Sequence, residues 1–220
     1  MPHEPITQSQ DLFAHELRNV VLDQGAVLLG GFAAAIGHEL CDVVQKLTSD
    51  APLRHMITPG GLPMSVAMTN CGDVGWVSDH KGYRYDAIDP TSGRRWPNMP
   101  DVFAELATGA AMAAGFTDFI PDACLINCYA PGTRLSLHQD KNERDFNQPI
   151  VSVSLGLPAT FLWGGQTRNG RARRVPLVHG DVVVWGGAAR MTFHGVLPLT
   201  DGAHPLTGRA RYNLTFRRAM

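Results

Sequence analysis

The stretch Leu135-Ser136-Leu137-His138-Gln139-Asp140 sets an imidazole and a carboxylate two positions apart. In an extended chain, residues two apart point the same way, so His138 and Asp140 project together and Gln139 opposes them. They are two thirds of the two-His-one-carboxylate set that holds non-haem Fe(II). The pair alone is a weak signal, because His-x-Asp arises by chance and in turns. It needs a third ligand, and the metal needs a task.

His179, His194 and His204 are the downstream candidates. His179 opens a rival His-x-Asp, but Gly180 lies inside it and Val182-Val183-Val184-Trp185 follows, which reads as a turn entering a strand. His204 sits beside Gly202 and Pro205, with no strand to orient it. His194 belongs to the strand-like run Met191–Val196. It is either a satisfied core histidine or the ligand that closes the triad from across the barrel. Three protein ligands on one face leave three positions for cosubstrate, O2 and water.

The final strand offers the task. Along Arg209–Arg217, Arg211, Asn213, Thr215 and Arg217 share one face, and Tyr212, Leu214 and Phe216 share the other. Arginine suits bidentate carboxylate binding. Asn127 and Tyr129 share a face on an earlier strand. Together with Arg211, Asn213 and Arg217 they form a donor set fit for a small buried dicarboxylate. The competing reading is a solvated edge strand.

Other elements must hold these residues in place. The 220 residues are 44% hydrophobic and 18% charged, with a net charge of -1, as in a single soluble globular domain spanning residues 1–220. A basic coat is absent, so any phosphate binding must use local patches. Cys41, Cys71, Cys124 and Cys128 form no Cys-x-x-Cys pair, which suits free core thiols. Residues 1–11 lack the apolar core of a signal peptide, and no run reaches the roughly 18 apolar residues of a membrane span. The expectation is a cytoplasmic monomer.

Apolar spacing predicts helices over 11–22, 33–48 and 100–115, with a buried strand at Ala26–Leu29 between the first two. Residues 52–100 are punctuated by Gly and Pro and carry a candidate strand at Met64–Asn70. Trp76, Tyr83 and Tyr85 follow, beside Lys81 and Arg84. Such a segment reads as a lid whose aromatics stack a base, or as an irregular hairpin whose aromatics pack inward. From 122 onward eight short strands are predicted: Ala123–Tyr129, Leu135–Gln139, Ile150–Leu157, Ala159–Trp163, Arg173–Leu177, Asp181–Trp185, Met191–Leu197 and Arg209–Arg217. The expected class is α+β, with a jelly-roll core over about 122–217.

His138-x-Asp140, His194, Arg211 and Arg217 in that order resemble the signature of Fe(II)/2-oxoglutarate dioxygenases. Asn127-x-Tyr129-x-Pro131-Gly132, Leu137–Asp140, Pro149–Gly156, His179-Gly180-Asp181, Arg211–Arg217, Thr58–Gly61 and Met64–Gly72 resemble one branch, the bacterial AlkB nucleic-acid demethylases. The resemblance runs from about residue 26 to the C-terminus. It implies a double-stranded β-helix with N-terminal helices and a nucleotide-recognition lid over about 52–100. It also implies His138, Asp140 and His194 as ligands of Fe(II), and 2-oxoglutarate and O2 as cosubstrates. Arg211 is then the partner of the distal carboxylate, with Asn127, Tyr129, Asn213 and Arg217 completing that pocket. Trp76 and His138 sandwich a flipped base, with Met68 and Tyr83 in the lid and Arg168 near the base or its backbone.

The implied reaction removes N-methyl groups from bases such as 1-methyladenine and 3-methylcytosine in single-stranded DNA or RNA, releasing formaldehyde, succinate and CO2. The family commonly carries an acid two positions after the ligand Asp, and this chain has Asn142. A shifted preference between methylated adenine and cytosine is therefore expected. Two rival readings remain: an oxygenase that modifies RNA or protein, and a non-catalytic cupin-like module that binds a metal or sugar.

Overall fold

The computed structural model describes residues 19–220. In chain order the elements are β1 (Asn19–Asp23), β2 (Ala26–Leu29), α1 (Gly37–Asp50), β3 (Ala67–Gly72), β4 (Gly75–Asp79), β5 (Gly82–Asp86) and α2 (Asp101–Ala113). Then follow β6 (Ala123–Tyr129), β7 (Leu135–His138), β8 (Ile150–Gly156), β9 (Ala159–Trp163), β10 (Arg173–Leu177), β11 (Val182–Trp185), β12 (His194–Val196) and β13 (Arg211–Arg217). Seven strands form one sheet in the order β1-β2-β11-β8-β13-β6-β3, and four form a second, β10-β9-β12-β7. The β4-β5 hairpin pairs with neither sheet.

Period-two alternation divides the large sheet into two faces. Leu214 and Phe216 of β13, Cys124 and Ile126 of β6, Val151, Val153 and Leu155 of β8, and Val182 and Val184 of β11 meet the helices in one core. Helix α1 contributes Leu40, Val44 and Leu47, spaced three to four apart on one stripe, and α2 contributes Phe103, Leu106, Ala107 and Ala110. Pro100 caps α2 in an extended conformation and Asp101 lies in its first turn, where the helix dipole favours an acid. On the other face Leu125, Tyr129, Ile150, Val183 and Trp185 pack against Phe161, Trp163, Val175, Leu177 and Val196 of the small sheet. That second core is the interior of the jelly roll, and the polar members of the same rows line its open end.

The expected helix over 11–22 is corrected. Its described part is strand β1, with Val20 opposite Leu28 and Val21 opposite Val27, and the rest lies outside the described residues. Gly25, at φ +82°, makes a tight turn between β1 and β2, and β-branched Val20 and Val21 suit the pleat better than a helix. The predicted strand at Met191–Leu197 contracts to three residues. Within the expected lid, Ala67–Gly72 is instead the edge strand of the large sheet, paired with β6. Among the described residues no helix is long and apolar enough to cross a membrane.

Candidate active site

Strand β12 runs antiparallel to β7 with His194 directly opposite His138. A Cβ on Gly195 would lie 2.7 Å from the Leu135 carbonyl oxygen, so the bare glycine is what lets the two strands close. His194 thus stands beside His138 in one sheet, rather than across the barrel as its sequence position suggested; their ring centroids are 4.4 Å apart. Strand β7 stops at His138, and Asp140 is turned in beyond its end, where Arg190 Nη1 donates to its carbonyl oxygen at 2.7 Å.

The three side chains converge. Asp140 Oδ1 is 3.8 Å from His138 Nε2, and Oδ2 is 3.8 Å from His194 Nε2. One ligand atom from each residue lies within 4.8 Å of the others. His138 Nδ1 faces the Ser136 carbonyl at 2.8 Å and His194 Nδ1 faces that of Thr192 at 3.0 Å. A carbonyl only accepts, so Nδ1 carries the proton in both rings and Nε2 offers a lone pair to the centre. Burial, then the nearby His138, push His194 down to about 4, so it stays neutral at physiological pH. Burial alone would raise the Asp140 carboxyl, but Arg217, His194 and His138 together hold it well below the usual carboxylate range. Two imidazoles and one carboxylate are a donor set for Fe(II).

Deeper in, Arg211 is only 1% exposed. Its Nη2 donates to Ser154 Oγ at 2.9 Å, and its guanidinium carbon stands 5.0 Å from the centre of the Tyr129 ring. Among the described residues Nε and Nη1 have no partner, nor does Oδ1 of buried Asn127. Burial pushes the Arg211 guanidinium down from its ordinary value. An orphaned cationic fork in a dry wall is costly unless an anion completes it. Asn213 is held differently, donating to Ser152 Oγ at 2.8 Å and the Val153 carbonyl at 3.0 Å.

Arg217 departs from Arg211. Its Nη2 donates to Asp140 Oδ2 at 2.7 Å, and its Nε lies 3.4 Å from Glu143 Oε1. Of the three Arg217 nitrogens, Nε and Nη2 bond to described residues and Nη1 to none of them. Burial would lower the Arg217 guanidinium, but Asp140, Tyr85 and Glu143 raise it instead.

Above this wall Trp76 on β4 and Tyr83 on β5 stack at 5.7 Å and 15°. Trp76 Nε1 donates to Asn142 Oδ1 at 3.1 Å. Trp96, by contrast, is buried, donates to the Asp86 carbonyl and lies under Arg54, so this lid aromatic packs inward. Asn127, Tyr129, Arg211, Asn213 and Arg217 share one cavity of about 610 Å³ with His138, Asp140 and His194, and with Met68, Trp76, Tyr83, Asn142 and Arg168. Met68 is buried in the wall from β3 rather than carried on the lid hairpin.

The family model of the 2OG-Fe(II) oxygenase superfamily matches residues 25–217. The chain is 55% identical over 210 residues to the alpha-ketoglutarate-dependent dioxygenase AlkB of Escherichia coli, covering 95% of this chain and 97% of that protein. This chain belongs to the AlkB family. It is therefore an Fe(II)- and 2-oxoglutarate-dependent dioxygenase that uses O2, which closes the reading as a non-catalytic binding module. Among solved structures, OsALKBH1 superposes with a TM-score of 0.80 at 30% identity, covering 91% of this chain and 100% of that one. The DNA N(6)-methyladenine demethylase ALKBH1C of Arabidopsis thaliana is 32% identical over 166 residues, which is 64% of this chain and 36% of that protein.

Within this AlkB-family site the sequence reading missed a buried network. Glu143 Oε1 accepts from Tyr85 Oη at 2.6 Å, and Oε2 accepts from Arg190 Nη2 at 2.9 Å. Burial pushes the Tyr85 phenol well above its ordinary value, so it remains a donor. The network links lid strand β5 to Asp140 through Arg217. Nothing in local spacing joins Tyr85, Glu143, Arg190 and Arg217. Ser152 and Ser154 were also missed, although the alternation of Ile150–Gly156 signals them: they share the inner face with Ile150. The His179-Gly180-Asp181 rival is structural. His179 Nδ1 accepts from the Gly156 N–H at 3.0 Å, and the Asp181 carboxylate accepts from Gly31 and Val178.

Proposed function

We propose that this dioxygenase oxidatively demethylates N-alkylated bases in single-stranded DNA or RNA, reversing alkylation damage directly. His138, Asp140 and His194 hold Fe(II). Arg211 binds the distal carboxylate of 2-oxoglutarate through the two nitrogens that lack protein partners. Asn127, Tyr129, Asn213 and the free Nη1 of Arg217 complete that pocket. When bound, the iron supplies oxidising power drawn from O2 and the decarboxylation of 2-oxoglutarate.

The chain's own residues orient the reactants. Nδ1 bonds to backbone carbonyls fix both imidazole rings, and Arg217 holds Asp140 ionised. Trp76 and His138 sandwich the base, with Met68 behind them. Asn142 reads the base edge, while Tyr83 and Arg168 meet the adjoining backbone. Within residues 52–100, the β4-β5 hairpin and the segments beside it serve as the nucleotide-recognition lid of a single domain. A base must leave its stack to enter such a cavity, so single strands are favoured. The hydroxylated methyl then leaves as formaldehyde and the base is restored. Four free cysteines fit work as a monomer in a reducing cytoplasm.

One observation carries this reading: the unpaired Arg211 fork, the triad and the stacked Trp76–Tyr83 pair open on the same cavity. The test is anaerobic loading with Fe(II) and 2-oxoglutarate, then O2 and a methylated single-stranded oligonucleotide. Formaldehyde and succinate should appear together and only with the methyl group. Succinate that ignores the methyl group refutes the substrate class.

A further inference from the structure

The sequence carries two arginine-rich runs, and the structure gives them different fates. In Arg209–Arg218, Arg209 pairs with Asp201, Arg211 and Arg217 are buried in the site, and Arg218 donates to the Ile120 carbonyl. In Arg168–Arg174, by contrast, Arg168, Arg171, Arg173 and Arg174 are all exposed, and among the described residues none of their guanidinium groups has a partner. No Asp or Glu occurs from Phe146 to Gly180 to offset them, in a chain whose net charge is -1.

An exposed arginine is stable without a partner, so their number decides little. Their place in the fold decides more. Among the described residues β10 is an edge of the small sheet, and Arg173 at its start stands opposite Trp163 of β9. Trp163 stands opposite His194 of β12, and His194 opposite His138 of β7. Arg173 therefore ends a cross-strand row that holds both ligand histidines. At the ordinary strand spacing it lies about 10 Å from His194 and about 14 Å from His138. It has the parity of Val175 and Leu177, which pack into the jelly-roll interior, and Arg174 takes the outer face of the same edge. Arg171 precedes them in the β9–β10 connection, where Arg168 already lines the cavity. At the opposite edge of the sheet, just past β7, Lys141 lines the cavity too.

Holding a single strand takes a positively charged track along its backbone. The row supplies one: Lys141 at the β7 edge, the base site at His138, then Arg168 and three further arginines at the β10 edge. The lid hairpin offers less, because its Arg84 is taken by Asp79 and Asp86. We propose that Arg171, Arg173 and Arg174 form a phosphate-binding rail for the nucleotides that flank the lesion on one side. The proposal rests on the demethylase reading above and extends it beyond the base pocket, to the length and side of the strand the enzyme prefers. Because the row is continuous with the base site, the phosphates it meets belong to the lesion strand and not to a complement.

Fluorescence anisotropy on the Fe(II)- and 2-oxoglutarate-loaded protein, kept anaerobic, tests this with single-stranded probes. One probe is a methylated trinucleotide. Two others extend it on the 5′ side or the 3′ side by about six nucleotides, within the site sizes of single-strand binders. One extension, not both, should tighten wild-type binding about tenfold at low salt. The triple variant Arg171→Gln/Arg173→Gln/Arg174→Gln should lose that gain. Its slope of log K against log salt should fall by about 2, at roughly 0.7 for each of three phosphates. Its kcat/KM on the trinucleotide should be unchanged, since none of the three arginines lines the cavity. Equal gains from both extensions, no gain from either, or a variant that keeps gain and slope overturns the rail. Weaker trinucleotide binding in the variant overturns it as well, by moving the arginines into the base site. So does a loss that appears only after a complement is annealed, which assigns them to the other strand. Flank-dependent binding with no formaldehyde from any probe once O2 is admitted keeps the rail and overturns the demethylase reading instead.

Discussion

On the floor of the cavity, Arg211 and Arg217 hang from β13, a strand paired on both sides, with β6 on one edge and β8 on the other. On its lid, Trp76 and Tyr83 hang from a hairpin that pairs with no third strand among the described residues. Arg211 is 1% exposed and Tyr83 is 46% exposed. Floor groups are held by fixed neighbours in a dry wall, where a missing partner is expensive. Lid groups stand near water, where each contact counts for less. The difference separates chemistry, which needs fixed donors, from substrate recognition, which needs a surface that can admit and release a strand.

Changes in the floor should therefore act almost all-or-none. Asp140→Ala or His194→Ala is expected to abolish formaldehyde release, because each removes one of the three metal ligands, while circular dichroism shows a folded chain. Measurable turnover in Asp140→Ala would remove it from the ligand set. Next in size is Arg211→Met. Losing charge-assisted hydrogen bonds worth about 3 kcal/mol should raise the 2-oxoglutarate concentration for half-maximal rate by roughly a hundredfold. Arg211→Lys should rescue little, since one ammonium does not replace a planar fork. A small shift in either variant would mean the orphaned guanidinium serves something other than the cosubstrate.

The network around Glu143 joins the two regions, and it sharpens the contrast. Glu143→Gln keeps the shape but removes the charge that Arg190 and Arg217 face. A loss of about 2 kcal/mol is expected, which lowers Tm by roughly 4–8 °C for a chain of this size. Tyr85→Phe removes only the hydroxyl at the rim of the same network and should cost less, about 1 kcal/mol. Equal losses in the two variants would show that the lid strand carries as much of the network as the floor does.

The same contrast explains what could be read from the sequence. On the floor, period two alone placed Arg211, Asn213, Thr215 and Arg217 on one face, and the strand bears that register out against Tyr129, Asn127, Leu125 and Ala123. It placed His194 in a strand but not beside His138, because register between strands is set by pairing and by Gly195, not by local pattern. Asp140 lies just past the end of the strand at His138, yet its carboxylate projects with His138 toward the common centre, as two-residue spacing implied. Trp76, Tyr83 and Tyr85 were visible as aromatics among cations, but their fates were not. Tyr85 turned inward to Glu143 while Tyr83 stayed on Trp76, a difference settled by contacts far apart in the chain.

The smallest effects should come from the lid and its rim. Trp76→Ala removes a stacking face and should raise KM for the oligonucleotide about tenfold, within the range for base–aromatic stacking, leaving KM for 2-oxoglutarate unchanged. Arg168 stands further out, on the exposed segment between β9 and β10, and still lines the cavity. A phosphate contact there acts through charge and counterion release rather than shape. Arg168→Gln should therefore weaken oligonucleotide binding only about threefold at low salt and reduce the slope of log K against log salt by about 0.7, the single-strand value per phosphate. Methylated adenine and methylated cytosine should be affected alike, because a backbone contact carries no base information. An Arg168→Gln variant that changes the ratio between lesions while keeping the salt slope would move Arg168 from the backbone to the base edge. The division between a floor that does chemistry and a rim that only gathers the strand would then fail at that residue.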